Sequence, residues 1–593
     1  MKEKNENIPD PSKIEKELGE FLNKKFGGNV KIITPSILPK QTSIKGKDVI
    51  EDKKKFVNFD IKPSELISYL DQYIVRQNKA KSVLATKICT HFNKIKYTES
   101  LTNTSHPPIT GNIKSNILML GPTGVGKTYI IKLIAKRIGV PFVKADATKF
   151  SETGYVGGDV EDIIRDLVRE ADDDISIAEY GIVYIDEIDK IAASQNFRGA
   201  DVSRTGVQRA LLKPMEETDV ELKVPHDPIS MMQELESYQK TGKRNRKRVN
   251  TANILFIVSG AFGDLAKIVS KRVTKQSIGF ASTLSSSLQE SQLLQQMKSE
   301  DLVEFGFESE FIGRLPVRCI LDPLSKQDLY DILRMPNNPV VLGKRLDFKS
   351  YGIDIVFTDD ALELLAEKAS QENTGARGLV SAVENTLISF EEKLPSSSIN
   401  ILTVTKELVA KPEKHLEKIL CEEQQANKDS EEGKLALENR KAIHAKALEN
   451  EKTYIISYIT DNWKNLSHRH GLTLSDYRCG LVADYFSTHV TELGNAIRQV
   501  KSYYESIKKI EVDFYKNYDL NIVMEEDAVD FLIEEMIHNP ITSEDVMEKI
   551  YNDFYDGLNL VRDKSGKNRF FISRDALLEH KKFLDDLIRK KLS

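Results

Sequence analysis

Three short apolar runs, Ile117 to Leu120, Ile182 to Ile185 and Ile254 to Val258, are separated by longer stretches in which apolar residues recur at helical spacing. Runs this short, without polar alternation, fit strands buried on both faces. Their alternation with helices predicts a mostly parallel α/β sheet between Pro63 and about Ile320. Upstream, Ile14, Leu18, Phe21, Leu22 and Phe26 form one amphipathic stripe before Gly27-Gly28, and a Lys/Pro/Ser-rich tether follows. From Ser325 to Leu420 the pattern is helical. From Glu422 to about Lys452 it becomes a polar run of helix formers, which reads as a long exposed helix or a hinge.

The last third carries an internal similarity. Tyr351 to Ala361 aligns without a gap to Tyr518 to Ala528, and at the same offset Leu379, Val383 and Leu387 fall against Val546, Ile550 and Phe554. Either a small helical unit is duplicated or two unrelated segments share an amphipathic pattern. The expected division is a helical element and linker over 1–60, an α/β domain over 61–322 and a small helical domain over 323–420. A helical linker or insert over 421–490 and a degenerate second copy of the small domain over 491–593 complete it.

Composition narrows the classes. At 593 residues one core cannot serve the whole chain. Lys+Arg (85) and Asp+Glu (90) nearly cancel to a net charge of -5, so there is no global basic field for nucleic acid. Cys89, Cys319, Cys421 and Cys479 are scattered without a Cys-x-x-Cys pair, which argues against a zinc knuckle or a disulfide framework. The first residues have no apolar core for a signal peptide, and no apolar run reaches the roughly 18 residues of a spanning helix. The expectation is a soluble, cytoplasmic protein with no membrane partner.

The first apolar run leads into Gly121-Pro122-Thr123-Gly124-Val125-Gly126-Lys127-Thr128, followed by a helical pattern from Tyr129 to Ile138. A G-x-x-x-x-G-K-T loop between strand and helix is a phosphate cradle. Its glycines let backbone N–H groups turn inward, Lys127 reaches the β/γ oxygens, and Thr128 offers a hydroxyl to Mg²⁺. ATP is the expected ligand. The second run ends on Asp186-Glu187, where Asp186 can hold Mg²⁺ through water and Glu187 can polarise the attacking water, so hydrolysis is expected as well as binding.

With these motifs in place, the chain from about Pro63 to Leu420 resembles the AAA+ family, and more closely the ClpX and HslU protein unfoldases. The resemblance implies an α/β P-loop NTPase large domain, a helical small (lid) domain and, outside the family pattern, a mostly helical C-terminal extension. It also implies an adenine contact at Tyr73, Ile74 and Val75, although Arg76 stands where the family usually has glycine. Tyr155 and Val156, between Gly154 and Gly157, are similar to the pore loop that presses on a threaded polypeptide. Arg314 matches the arginine finger, which acts on a neighbouring subunit's nucleotide and so implies a ring, by resemblance a hexamer. Arg377 matches the sensor-2 arginine; Ser259 occupies the sensor-1 position, where a plain structural hydroxyl is equally compatible.

Only about two dozen residues separate Gly157 from Gly181, too few for the domain that HslU inserts there. Ile278-Gly279-Phe280, in a polar stretch, lies where ClpX-like proteins dock on a ClpP-type peptidase. No cysteine precedes Cys89, so the N-terminal zinc domain of many ClpX proteins is not expected. The basic run Lys243 to Arg248 reads as a pore-entrance loop, a solvated face or, last, a nucleic-acid patch. No protease constellation is visible. The sequence therefore points to a Mg-ATP-driven unfoldase of protein substrates that passes them to a ClpP-type peptidase. Its rivals are a stand-alone remodeller and a nucleic-acid-associated scaffold.

Overall fold

The structure is a computed structural model that describes residues 59–102, 114–150, 158–193, 202–222, 248–277, 290–426, 430–539 and 541–592. The stripe from Ile14 to Phe26, the pore candidates Tyr155 and Val156, the tripeptide Ile278-Gly279-Phe280 and the basic run as far as Lys247 lie outside the described residues.

The first unit contains strands β1 (Ile117–Leu120), β2 (Phe142–Asp146), β3 (Ile182–Asp186), β4 (Asp219–Glu221), β5 (Arg248–Asn250), β6 (Leu255–Gly260) and β7 (Val317–Ile320). Five of them form a parallel sheet in the order β2-β3-β6-β1-β7, and β4 and β5 pair antiparallel beside it. The three apolar runs are its three inner strands, covered on both faces. The edge strands β2 and β7 carry Lys144 and Arg318 among their apolar residues, which hid them from a search for continuous apolar runs.

Side chains alternate across the sheet with the period of two that a pleated strand imposes. Leu118, Leu120, Val183, Ile185, Phe256 and Val258 enter one core, shared with the helices Asp162–Glu170 and Leu265–Ser277. Ile117, Met119, Ile182, Tyr184, Leu255 and Ile257 enter the other, shared with the helices Pro63–Leu70, Asn78–Thr102 and Lys127–Ile138.

A second unit, with its own core, follows the connector 321–325. The helices Pro339–Ser350, Asp359–Gln371 and Arg377–Lys393 pack around β8 (Asp354–Phe357) and β9 (Ile401–Val404), a parallel pair, burying Phe348, Leu365, Val383 and Phe390. The same order recurs near the C-terminus. Helix Leu493–Tyr518 leads to β10 (Asn521–Met524), helices Glu526–His538 and Ser543–Ser565 follow, and β11 (Arg569–Ile572) pairs parallel with β10. Short helices at Lys406–Ala410 and Arg574–Leu578, each capped by a Thr or Ser hydroxyl, follow the second strand of each pair. Leu379, Val383 and Leu387 are buried in the earlier core, and Val546, Ile550 and Phe554 in the later one.

The polar run is for the most part a long, largely exposed helix and not a hinge. From Glu431 it forms the 31-residue helix Glu431–Asp461, which spans from the core of the second unit to the C-terminal core. His444 and Thr403 share a hydrogen bond at 3.1 Å, Arg345 donates to Glu451 at 2.6 Å, and Ile455 and Ile459 enter the C-terminal core. Its buried positions are few and widely spaced, and include glycine, histidine and alanine, so it lacks an obvious apolar stripe. Leu466, Leu481, Val482 and Phe486 join the same core, which therefore starts near Ile455 rather than at residue 491.

Arg345 joins these parts, because its other guanidinium arm donates to the Ser487 carbonyl at 3.0 Å. Arg345→Ala should destabilise the C-terminal unit by about 1.5–3 kcal/mol, the usual worth of a hydrogen-bonded charge. Urea denaturation followed at Trp463, the chain's single tryptophan, checks this by a lowered midpoint.

Candidate nucleotide site

The phosphate loop is shaped by a left-handed turn and by one close approach. Gly126 caps helix Lys127–Ile138 with a left-handed φ of 91°, a conformation that glycine adopts without Cβ strain. At Gly124 a Cβ would lie 2.0 Å from the Thr374 carbonyl oxygen of the second unit, so any side chain would separate the two. Ala376 N–H donates to the Gly124 carbonyl at 2.8 Å across this contact. Lys127 Nζ donates to the carbonyls of Gly121 at 2.7 Å and Pro122 at 2.8 Å. Burial holds its ammonium below the usual lysine range, opposed by the charges of Asp186 and Asp189.

Adjacent parallel strands bring their C-terminal ends together, and the polar residues there meet. Ser259, the fifth residue of β6, donates to Asp186 Oδ1 at 2.7 Å, and Lys144 of β2 pairs with Asp186 Oδ2 at 3.0 Å. Thr128 Oγ1 lies 3.2 Å from the Tyr184 hydroxyl and 3.3 Å from Asp186 Oδ2, while Tyr184 and Ser259 share a hydrogen bond at 2.6 Å. Burial pushes the Asp186 carboxyl up, but the bonds from Ser259 and Lys144 outweigh it and hold the group below its ordinary 3.8. Glu187 follows in a left-handed conformation, φ 57°, and its exposed carboxylate lines the cleft. Tyr184, Lys144 and Asp189 escaped the sequence reading. Lys144 gave no signal in the sequence, because only the register of β2 on β3, which sets it beside Tyr184, brings it to the site.

Lys127, Thr128, Asp186, Glu187 and Asp189 border a cleft of about 420 Å³ between the two units, with Ser259, Tyr184 and Lys144 behind Asp186. Tyr73, Ile74 and Val75 line one wall, and Leu324, Met335 and Val340 of the second unit line another, giving an apolar slot for a planar base beside the polar phosphate end. Thr123, Val125 and Thr128 border it, as does Arg377 at the start of helix Arg377–Lys393.

The sequence matches fall on both sides of this cleft. A profile described as the AAA domain (Cdc48 subfamily) matches residues 112–318, and one for the C-terminal, D2-small domain of ClpB protein matches residues 324–389. The ATP-dependent Clp protease ATP-binding subunit ClpX of Treponema denticola is 40% identical over 341 residues, covering 56% of this chain and 77% of the relative. The proteins of the same description from Borrelia duttonii and Borrelia recurrentis are each 42% identical over 351 residues, 58% of this chain and 78% of theirs. The chain belongs to the ClpX family.

It is therefore a nucleotide-binding AAA+ ATPase, an ATP-dependent unfoldase of the Clp type, and its five-stranded parallel sheet is the P-loop α/β fold of that class. Among the described residues no helix is long and apolar enough to cross a membrane. At Arg76, where glycine was expected from the ClpX resemblance, the backbone still takes the left-handed φ of 58°. Its guanidinium pairs with Asp328 at 2.8 Å, across to helix Lys326–Arg334, the hinge helix at the start of the second unit. Arg314 stands apart from the cleft. Its carbonyl accepts from Asn116, just before β1, whereas the phosphate loop follows β1, so the two lie at opposite ends of a strand roughly 13 Å long. Its guanidinium pairs with Glu216.

The lowered carboxyl of Asp186 adds stability that is fully present above its unfolded value near 3.8 and is lost as pH falls through the folded value. Ser259→Ala removes a hydrogen bond that favours the carboxylate. Acid unfolding, followed by circular dichroism, should then begin at higher pH than in the wild type.

Proposed function

We propose that the chain assembles into a homo-hexameric ring in the cytoplasm, hydrolyses Mg-ATP and draws protein substrates through a central pore to a ClpP-type peptidase. The observation that carries this reading is the cleft itself, which is walled by two separately cored units and holds Arg377 but not Arg314. An arginine that its own cleft excludes has a role when a neighbouring subunit presents a nucleotide to it, and that requires a ring.

Tyr73, Ile74 and Val75 hold the base, Gly121 to Gly126 wrap the phosphates, and Lys127 offsets their charge. Bound Mg²⁺ would neutralise the β- and γ-phosphate oxygens, with Thr128 and Asp186 as its protein partners and with water and phosphate completing the shell. That fits a site in which hydroxyl and carboxylate lie 3.3 Å apart and no three-residue His/Cys/Asp/Glu cluster occurs among the described residues. Glu187 orients and polarises the attacking water, Ser259 keeps Asp186 ionised, and Arg377 reports the γ-phosphate to the second unit. Changes at the γ-phosphate then alter the angle between the units about the hinge from Ile320 to Ser325.

Tyr155 and Val156 grip substrate in the pore, and Ile278, Gly279 and Phe280 dock on the peptidase. Arg248 of the basic run pairs with Glu221 at 2.9 Å, which suits an entrance loop held on the β4–β5 ribbon better than a nucleic-acid surface. The C-terminal unit is a second copy of the lid that has lost nucleotide contact, since Glu544 stands in the place of Arg377.

The deciding experiment is ATP-dependent loss of fluorescence from a tagged, folded fluorescent protein, with and without a ClpP-type peptidase. Fragments are expected only with peptidase and an intact loop; Ile278→Glu/Phe280→Glu should abolish fragments and keep ATPase activity. Fluorescence loss indifferent to peptidase and loop would instead identify a stand-alone remodeller. Glu187→Gln should retain ATP binding and lower turnover by about a hundredfold or more, as loss of a general base does; phosphate release under single-turnover conditions checks this. Tyr155→Ala should keep ATP hydrolysis and lose unfolding in the same fluorescence assay.

A further inference from the structure

Four cations converge where the C-terminal extension meets the far end of the nucleotide helix. The last turn of helix Lys127–Ile138 brings Arg137, helix Trp463–His470 ends on Arg469 and His470, and helix Leu493–Tyr518 adds Arg498 and Lys501. With Glu505 these side chains line a pocket of about 390 Å³. Four cations against one carboxylate leave a net charge of three, and that carboxylate is 3.4 Å from Lys501. The nearby Glu492 turns its oxygens elsewhere, to Lys136 at 3.9 Å and the Tyr73 hydroxyl at 3.4 Å. The ends of the two helices that bring Arg137 and Arg469 offset about half a charge each, which still leaves an excess.

Two polar atoms in this pocket are buried without a hydrogen-bond partner, Arg137 Nε and His470 Nε2. His470 is only 9% exposed. Burial and the surrounding cations push its imidazole down to about 4, so the ring stays neutral and adds no fifth charge. Like charges gathered around unpaired buried polar atoms, the Arg137 Nε–H donor among them, cost free energy that a multivalent anion would recover.

We infer that this pocket binds a compact phosphate-rich anion, free inorganic diphosphate being the class that fits. Arginine presents a planar fork of N–H groups suited to phosphate oxygens, and the net charge of the pocket matches an anion of high charge density. No phenylalanine, tyrosine or tryptophan lines the pocket to stack a base, which favours the free anion over a nucleotide. Occupancy would also reach the ATP site. Helix Lys127–Ile138 carries Lys127 at one end and Arg137 at the other, and Arg469 donates to Gln72 at 2.9 Å and lies over the Tyr69 ring at 4.6 Å, next to the base-binding wall. A bound anion would fasten the extension to both nucleotide-holding segments.

The test uses the full chain with its nucleotide cleft saturated by a non-hydrolysable ATP analogue, titrated calorimetrically with inorganic pyrophosphate. One further site per chain is expected, weakened about tenfold or more in Arg498→Gln/Lys501→Gln and by added salt. Pyrophosphate should also raise the melting temperature of the wild type more than that of the variant, and sulfate at equal ionic strength should not. Uridine diphosphate should bind no more tightly than pyrophosphate. Absence of the second site in the wild type, or equal binding in a variant that melts normally, overturns the inference; much tighter binding of uridine diphosphate overturns the free-anion assignment.

Discussion

One backbone hydrogen bond, from Ala376 N–H to the Gly124 carbonyl, sets where the lid unit meets the phosphate loop, and the nucleotide cleft depends on it. It demands a bare α-carbon at Gly124, because a Cβ there would collide with the Thr374 carbonyl. The contact is reinforced at the hinge, where the Gln77 amide both donates to the Asp322 carbonyl at 2.7 Å and accepts from its N–H at 2.9 Å. Arg76 reaches the N-terminal turn of the hinge helix through Asp328. Each such bond is worth about 1 kcal/mol. A joint held by a few bonds of this size can be shifted by binding free energy at the cleft, which a fused core could not.

On the other side of the loop, the site is stiff. Thr128, Tyr184, Ser259, Asp186 and Lys144 form a continuous network at the ends of strands β1, β6, β3 and β2. Burial pushes the Tyr184 phenol up to about 12, so it remains a neutral hydrogen-bonding group beneath the carboxylate. The acid that would face Mg²⁺ is thus kept ionised by neighbours fixed in the sheet. The wall of the cleft that the lid unit supplies is held through a joint of a few bonds, whereas the carboxylate network is built into the sheet.

The C-terminal extension bears on both sides of that joint. Arg345 ties the lid to helix Glu431–Asp461, Arg469 holds Gln72 of the large unit, and Leu493 N–H donates to Asn337 Oδ1, just past the hinge helix, at 2.8 Å. An element anchored on both units constrains their relative rotation, so the extension is mechanically coupled to the ATP cleft although it supplies none of the residues that line it.

The nucleotide chemistry was legible in the chain because it is local. A phosphate loop needs its glycines, lysine and threonine at fixed spacing, and inner strands covered on both faces must be continuously apolar, so Gly121 to Thr128, Asp186 and the three central strands could be read directly. The repeated element order near the C-terminus also left its mark, through the aligned strand and helix faces at 351–361 and 518–528. Tertiary structure alone decided the rest. Lys144 and Tyr184 meet the site through strand register, Arg76 and Asp328 meet across 252 residues, and Arg137 joins Arg469, Arg498 and Lys501 from three separate helices. No spacing in the sequence encodes such meetings, because each depends on how strands pair within a sheet or how separate units pack, and the charges that gather there are far apart in the chain until they do.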